Sequence, residues 1–299
     1  MNRITILDQV LAGLMNRYKQ RVPDVTGILS AMKEEHIIQN DTDIENDHIA
    51  FRTMGVPQLG IQSFEKIFTH YGYVKRDYYH FEGKKLNAFW YAPPTDKHPR
   101  IFVSELRIGD LPEEAQQIIL SYTNEVKTDP VDALDLEDAQ AVDQFLHSPL
   151  WRVPTLEDYN VLAAESEYAS WVIYNRYYLN HFTISIHNLK AGYNDIASFN
   201  NFLEKHGFKL NTSGGKIKTS PDGALLQSAT VAEMIEATFA HGEKQKISGS
   251  YVEFAERKVL PEYAHLNPED ITRAHRRDGF EANNADKIFE STYSSQTKS

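Results

Sequence analysis

The sequence predicts an α+β fold in which one βαβββ unit occurs twice, the pair forming an open half-barrel. Helices precede the first copy, and a helical insertion separates it from the second. Two runs, residues 47–53 and 180–187, alternate polar and apolar residues with period two, as strands do. Each is followed by a glycine-marked turn and a short helix whose apolar residues recur at three and four. The two helices end on similar phrases, His70-Tyr71-Gly72-Tyr73 and His206-Gly207-Phe208. A fixed succession of elements found twice is an internal repeat, and here the repeat decides the fold.

Taken in order, residues 1–45 read as helices: Ile4, Ile6, Leu7, Val10, Leu11 and Leu14 form an apolar face, interrupted by Asp8 and bounded by Arg17. The first module spans 46–110. After its opening strand, Gly55, Pro57 and Gly60 mark a turn. Ile61, Phe64, Ile67 and Phe68 then give a helix stopped at Gly72. Strands at 73–81, 86–91 and 101–108 follow, separated by Glu82-Gly83-Lys84 and Pro93-Pro94-Thr95-Asp96.

The stretch 111–179 is rich in Glu, Gln, Ala and Leu and reads as several helices, one opened by Thr155-Leu156-Glu157-Asp158, which resembles a capping box. The second module spans 180–258, with a helix at 196–203 and strands at 208–210, 225–231 and 250–255, the last carrying Glu253. Residues 259–299 form a closing segment of the same single domain, frayed from about 291, where Ser, Thr and Gln dominate. Two half-buried sheets are expected to pair their concave faces.

Composition narrows the function. With 299 residues the chain buries a core unaided, and it contains no cysteine. Disulfide scaffolds, zinc–thiolate sites, iron–sulfur clusters and cysteine nucleophiles are excluded. Thirty-one basic against forty-two acidic residues leave a formal charge of −11 and a pI near 5.5, a poor surface for nucleic acid or anionic membranes. No run reaches the roughly 18 apolar residues of a membrane span, and the first helix lacks the unbroken apolar block of a signal peptide. The expectation is a soluble, cytoplasmic protein that binds neither nucleic acid nor membrane, with its oligomeric state open.

The chemistry rests on three residues. His48 lies on the opening strand of the first module, His181 on that of the second, and Glu253 on the last strand of the second. Equivalent strands of paired modules line one cavity, so the three can converge. Two imidazoles and one carboxylate form the facial triad that holds Fe(II) and leaves coordination positions open. A 2-oxo acid can take two of them and O2 another. Arg52 and Arg257, each four residues beyond a ligand on the same strand face, stand about 13 Å away, suited to gripping the far carboxylate of a chelated dicarboxylate. Arg52 equally has the plainer reading of an ion-pair partner. His187, about 20 Å from His181 along the strand, cannot share its ion.

Of the twelve histidines, His70, His98, His147, His206, His241, His265 and His275 read as surface or hydrogen-bonded residues. Glu105, on the last strand of the first module, is the rough repeat-mate of Glu253. As a fourth ligand it would turn the site into that of a glyoxalase-type isomerase or lyase using Zn, Ni or Mn. A non-catalytic small-molecule binder on the same scaffold is the third reading.

An ordered set of motifs then resembles a known family. Asp47-His48-Ile49-Ala50-Phe51-Arg52-Thr53, Ser166-Glu167-Tyr168-Ala169-Ser170-Trp171, Asn180-His181-Phe182-Thr183, and Val252-Glu253-Phe254 with Arg257 resemble the 2-oxoadipate dioxygenase/decarboxylase family. That family lies within the vicinal oxygen chelate (glyoxalase-like) superfamily, and the likeness runs from about residue 5 to 292. The resemblance implies that His48, His181 and Glu253 hold Fe(II), or another divalent metal, and that Arg52 contacts substrate and serves catalysis. It implies a 2-oxo acid and O2 as partners, 2-oxoadipate going to 2-hydroxyglutarate and CO2, and a place in lysine catabolism. Longer members present a small hydroxyl residue to substrate from their closing segment. Here Asn283 and Asn284 fall near that place and are taken as substrate-binding candidates with Arg257.

Overall fold

In the computed structural model, which describes residues 2–298, nearly every residue of the first strand is buried. The elements before it are α1 (Arg3–Arg21) and α2 (Pro23–Glu34). The strand itself, β1 (Asn46–Met54), is followed by α3 (Ile61–His70), β2 (Val74–Phe81), β3 (Leu86–Ala92) and β4 (Arg100–Leu106). The insertion carries α4 (Glu113–Thr123), α5 (Ala139–Phe145), α6 (Leu156–Glu165) and α7 (Glu167–Asn175). The second module comprises β5 (His181–Ser185), α8 (Ile196–Lys205), β6 (Lys218–Thr219), β7 (Leu225–Ala229), a hairpin of β8 (Met234–Thr238) and β9 (Lys244–Ser248), and β10 (Tyr251–Arg257). Helix α9 (Ala282–Phe289) closes the fold.

Eight strands form one curled sheet in the order β2-β3-β4-β1-β5-β10-β7-β6. Each module contributes four strands, and in each the opening strand runs parallel to the last, β1 beside β4 and β5 beside β10. The modules join edge to edge through antiparallel β1 and β5, where Ala50 faces His181. The expected pairing of concave faces is therefore corrected. Edge pairing satisfies the backbone of both opening strands and leaves one continuous concavity. Helix α9 covers that concavity, packing on β2, β6 and β7.

The two helix-ending phrases do the same work. Gly72 (φ 93°) and Gly207 (φ 84°) sit in the left-handed region. Just beyond them the amides of Tyr73 and Phe208 donate back to the carbonyls of Phe68 (3.1 Å) and Leu203 (3.0 Å). This six-to-one bond is the Schellman close, which glycine permits without a Cβ clash. The helices point their aromatic faces at the convex side of the sheet, Phe64 and Phe68 against Phe51, and Phe199 against Phe254. Thr155 caps α6, accepting from the Asp158 amide at 3.1 Å.

Other expectations change. Residues 208–210 form no strand and make only an isolated bridge between Leu210 and Thr230, while the outer strand is the two-residue β6. Residues 186–188 turn into a 3-10 helix, so β5 ends at Ser185. The β8–β9 hairpin was not anticipated, because mostly solvated strands such as Lys244-Gln245-Lys246 lack an apolar period.

Candidate metal centre

Strand parity sends Ile49 and Phe51 toward the convex helices and His48, Ala50 and Arg52 into the concavity. Polar alternation on β1 marks a buried site, not a wet face: His48 and Arg52 are each 1% exposed. From the second module, β5 brings His181 and β10 brings Glu253, again with almost no exposure. The candidate ligand atoms of His48, His181 and Glu253 all lie within 4.8 Å of one another, the one such cluster among the described residues. His48 Nε2 is 3.4 Å from Glu253 Oε1, and His181 Nε2 is 3.1 Å from Glu253 Oε2.

Both imidazoles are held from behind by the residue before them. Asp47 Oδ1 accepts from His48 Nδ1 at 2.9 Å, and Asn180 Oδ1 accepts from His181 Nδ1 at 3.0 Å. Adjacent strand residues normally point to opposite faces. A register shift in β1 between Asn46 and Ile49 accompanies the approach of Asp47 to its neighbour. An acceptor at Nδ1 places the proton there and leaves Nε2 as the donor toward a cation. Glu253 is oriented in turn by Gln227, whose Nε2 donates to Oε1 at 2.7 Å. His48 Nε2 also accepts from the Thr183 hydroxyl at 3.0 Å, a contact that an ion would replace. Two unprotonated imidazole nitrogens and an oriented carboxylate fit a divalent ion.

The charges agree with this geometry. Burial alone would raise the Glu253 carboxyl, but His48 and His181 overcome it and hold the carboxyl well below its usual range. For His48, burial lowers the pKa but Glu253 and Asp47 outweigh it, and the net shift is upward. For His181 burial prevails over Glu253, helped by the charges of His48 and Arg52, and the net shift is downward. Asp47 stays ionised despite burial because Arg257 and Arg100 flank it.

Arg52 donates from Nη1 to Thr292 Oγ1 and from Nη2 to the Phe289 carbonyl, both at 3.0 Å. Its guanidinium lies among the rings of Tyr168, Trp171 and Phe289, 5.1 to 5.5 Å from their centroids. Its Nε is buried without a hydrogen-bond partner among the described residues.

The structure places the three other substrate-binding candidates outside the lining of the centre. Arg257 is no free clamp: Nε and Nη2 donate to Asp47 at 2.6 and 2.9 Å, and Nη1 to the carbonyls of Arg277 and Gly279. Asn283 is exposed and lines no cavity at the centre. Asn284 is buried but spends its amide on Lys218 O, Leu225 O and Gln227 Oε1, so it braces the Gln227–Glu253 pair. The closing-segment hydroxyl beside Arg52 belongs to Thr292.

Glu105 is also reassigned. Its Oε2 accepts from the Ile61 amide at the start of α3 (2.9 Å), just as Glu256 accepts from Ile196 at the start of α8 (2.9 Å). Glu105 is the repeat-mate of Glu256, a helix-capping residue. Ala50 pairs with Phe102 as Thr183 pairs with Glu253, so the mate of Glu253 is Phe102.

The centre opens on a pocket walled by Phe102, Tyr251, Phe280, Ala285, Ile288 and Phe289 beside the three ligands and Gln227. Phe280 meets His48 edge-on at 4.8 Å, and the Tyr251 ring lies 4.8 Å from that of His181. Sequence reasoning missed Gln227, Tyr251, Phe102 and the Asp47/Asn180 pair. Only the last had a readable signal, an acceptor residue before the histidine in both modules.

Comparison with known proteins follows the same lines. The family model described as 2-oxoadipate dioxygenase/decarboxylase matches residues 10–268. The chloroplastic 2-oxoadipate dioxygenase/decarboxylase of Arabidopsis thaliana is 41% identical over 298 residues, covering 96% of this chain and 77% of that protein. A chloroplastic/amyloplastic counterpart from Oryza sativa subsp. japonica is 42% identical over 300 residues, covering 96% and 79%. The crystal structure of hydroxyglutarate synthase from Oryza sativa in complex with 2-oxoadipate superposes with a TM-score of 0.89 at 41% identity, covering 98% of this chain and 94% of that one. The cytoplasmic expectation is overturned by these relatives, which are plastid proteins. No helix among the described residues is long and apolar enough to cross a membrane.

Proposed function

The chain belongs to the 2-oxoadipate dioxygenase/decarboxylase family, and from that premise we propose that it oxidatively decarboxylates a 2-oxo dicarboxylic acid of the 2-oxoadipate type with O2. The reaction balances without a second reductant: 2-oxoadipate and O2 give 2-hydroxyglutarate and CO2. The observation that carries the proposal is the convergence of His48, His181 and Glu253 at an aromatic-walled pocket.

His48, His181 and Glu253 would hold the ion, Fe(II) on this reading. The ion supplies Lewis acidity and open positions at which a 2-oxo acid and O2 can meet. Asp47 and Asn180 keep the Nδ1 protons away from it, and Gln227 fixes the carboxylate. Phe102, Phe280, Ile288 and Phe289 exclude water, which protects reactive species and strengthens every charge interaction inside. Arg52 neutralises the carboxylate remote from the ion and sets how deep the substrate sits. Placement then decides which carbon is oxidised. Thr292 and Phe289, which now receive the Arg52 donors, yield to the substrate.

Phe102 argues against the four-ligand alternative, because the position that would carry a second carboxylate holds a phenyl ring. The test is an oxygen-electrode trace on Fe(II)-loaded protein with 2-oxoadipate, paired with product analysis. Oxygen uptake matched one to one by 2-hydroxyglutarate supports the proposal, and no uptake with any 2-oxo acid overturns it.

A further inference from the structure

Tyr251 is the one cavity-lining residue whose polar atom is both buried and without a hydrogen-bond partner among the described residues. The residue is 0% exposed. Nothing in its packing needs the hydroxyl: the ring lies against His181, and the backbone carbonyl accepts from the Tyr18 hydroxyl. Leaving a phenol O–H unsatisfied inside a protein costs free energy that phenylalanine would not.

A second orphan lies close by. The Arg52 Nε–H is likewise buried without a partner. Arg52 faces the Tyr251 hydroxyl closely enough to bear on its oxygen, by charge and as a donor, and so opposes the rise that burial imposes; the hydroxyl's own hydrogen still has no acceptor among the described residues. Two donors with hydrogens to spare, the neutral one on the cavity wall and the cationic one next to it, are the complement of a carboxylate, which accepts at both oxygens. The groups around the hydroxyl include the acids Glu253 and the phenol of Tyr293, so an anion arriving there depends on Arg52 for its countercharge.

Resting on the function proposed above, we infer that Tyr251 is a substrate-contacting residue whose hydroxyl donates, alongside Arg52, to the carboxylate remote from the metal. The hydroxyl thereby sets a preference for dicarboxylic over monocarboxylic 2-oxo acids. A site built to hydrogen-bond a group rejects the analogue that lacks it, because its donors are then left unpaired.

Tyr251→Phe keeps the ring and removes the donor. Calorimetry on metal-loaded protein without oxygen measures affinity for 2-oxoadipate and for 2-oxohexanoate, which lacks the far carboxylate. The variant is expected to keep its metal and to bind 2-oxoadipate about 10-fold to 100-fold more weakly, with 2-oxohexanoate unchanged. Its melting temperature without ligand equals or exceeds that of the unaltered protein, the opposite of what a structural hydroxyl would give. Equal weakening toward both acids, or unchanged affinity for 2-oxoadipate, overturns the inference. Failure of the unaltered protein to bind 2-oxoadipate at all overturns the functional reading beneath it.

Discussion

Phe102 stands in the first module where Glu253 stands in the second: β1 and β4 pair Ala50 with Phe102, as β5 and β10 pair Thr183 with Glu253. The duplication thus offers four positions around one point, filled by His48, His181, Glu253 and a phenyl ring. A three-ligand centre leaves more of an ion open than a four-ligand one, and this single residue separates the two.

Phe102→Glu should restore the fourth ligand. The expected outcome is a variant that retains a full equivalent of metal while O2 consumption falls by about 100-fold or more, since the added carboxylate occupies a position the reactants need. Phe102→Ala, which opens space without a ligand, should keep a measurable rate. Metal analysis beside oxygen uptake checks both.

The buried charges behind His48 give a stability prediction. Arg257 and Asp47 are each 1% exposed and bonded through two nitrogens. Arg257→Met leaves the Asp47 carboxylate with Arg100 as its remaining cation and should cost about 3–5 kcal/mol in chemical denaturation. A substrate clamp, as expected from sequence, would instead raise KM and leave the denaturation midpoint alone.

Arg52→Lys tests the proposed grip on substrate. Lysine keeps the charge but not the fork or the flat face set among Tyr168, Trp171 and Phe289. Turnover should fall by about 100-fold with metal content unchanged. A rate within about threefold of the unaltered enzyme would remove Arg52 from the substrate's path.

A pH dependence arises far from the centre. Glu233 Oε1 accepts from the Asp24 amide at 2.6 Å, and burial, reinforced by the Asp24 carboxyl, pushes Glu233 up to about 7. A carboxyl raised in the folded state binds its proton more tightly there than in the unfolded chain. Its contribution is full below the ordinary value of 4.5 and is lost as pH rises through about 7. Partial exposure reduces the effect to roughly 1–2 kcal/mol. Unfolding free energies at pH 5 and pH 8 should differ in this sense, and Glu233→Gln should flatten the difference.

Much of this was legible in the chain. The doubled strand-helix phrase gave away the modules, because Gly72 and Gly207 close equivalent helices by the same bond. Histidines on both opening strands then pointed to a shared cavity. What escaped depends on register. Glu105 and Phe102 are three residues apart on β4, hence on opposite faces, and only the pairing with β1 shows which of them looks into the concavity. The bond from Arg257 to Asp47 spans 210 residues, and no local pattern announces such a partner. Tyr251 was passed over because a tyrosine in a strand ordinarily packs, and its missing hydrogen bond exists only in three dimensions.

The central claim is that His48, His181 and Glu253 jointly hold one catalytic ion. The direct measurement is metal stoichiometry after reconstitution with Fe(II) and desalting, for the unaltered protein and for His48→Ala, His181→Ala and Glu253→Gln. One equivalent in the first and less than about 0.1 in each variant, with folding intact by circular dichroism, is the expected result. A variant that keeps its full equivalent and still consumes oxygen with 2-oxoadipate would contradict the account.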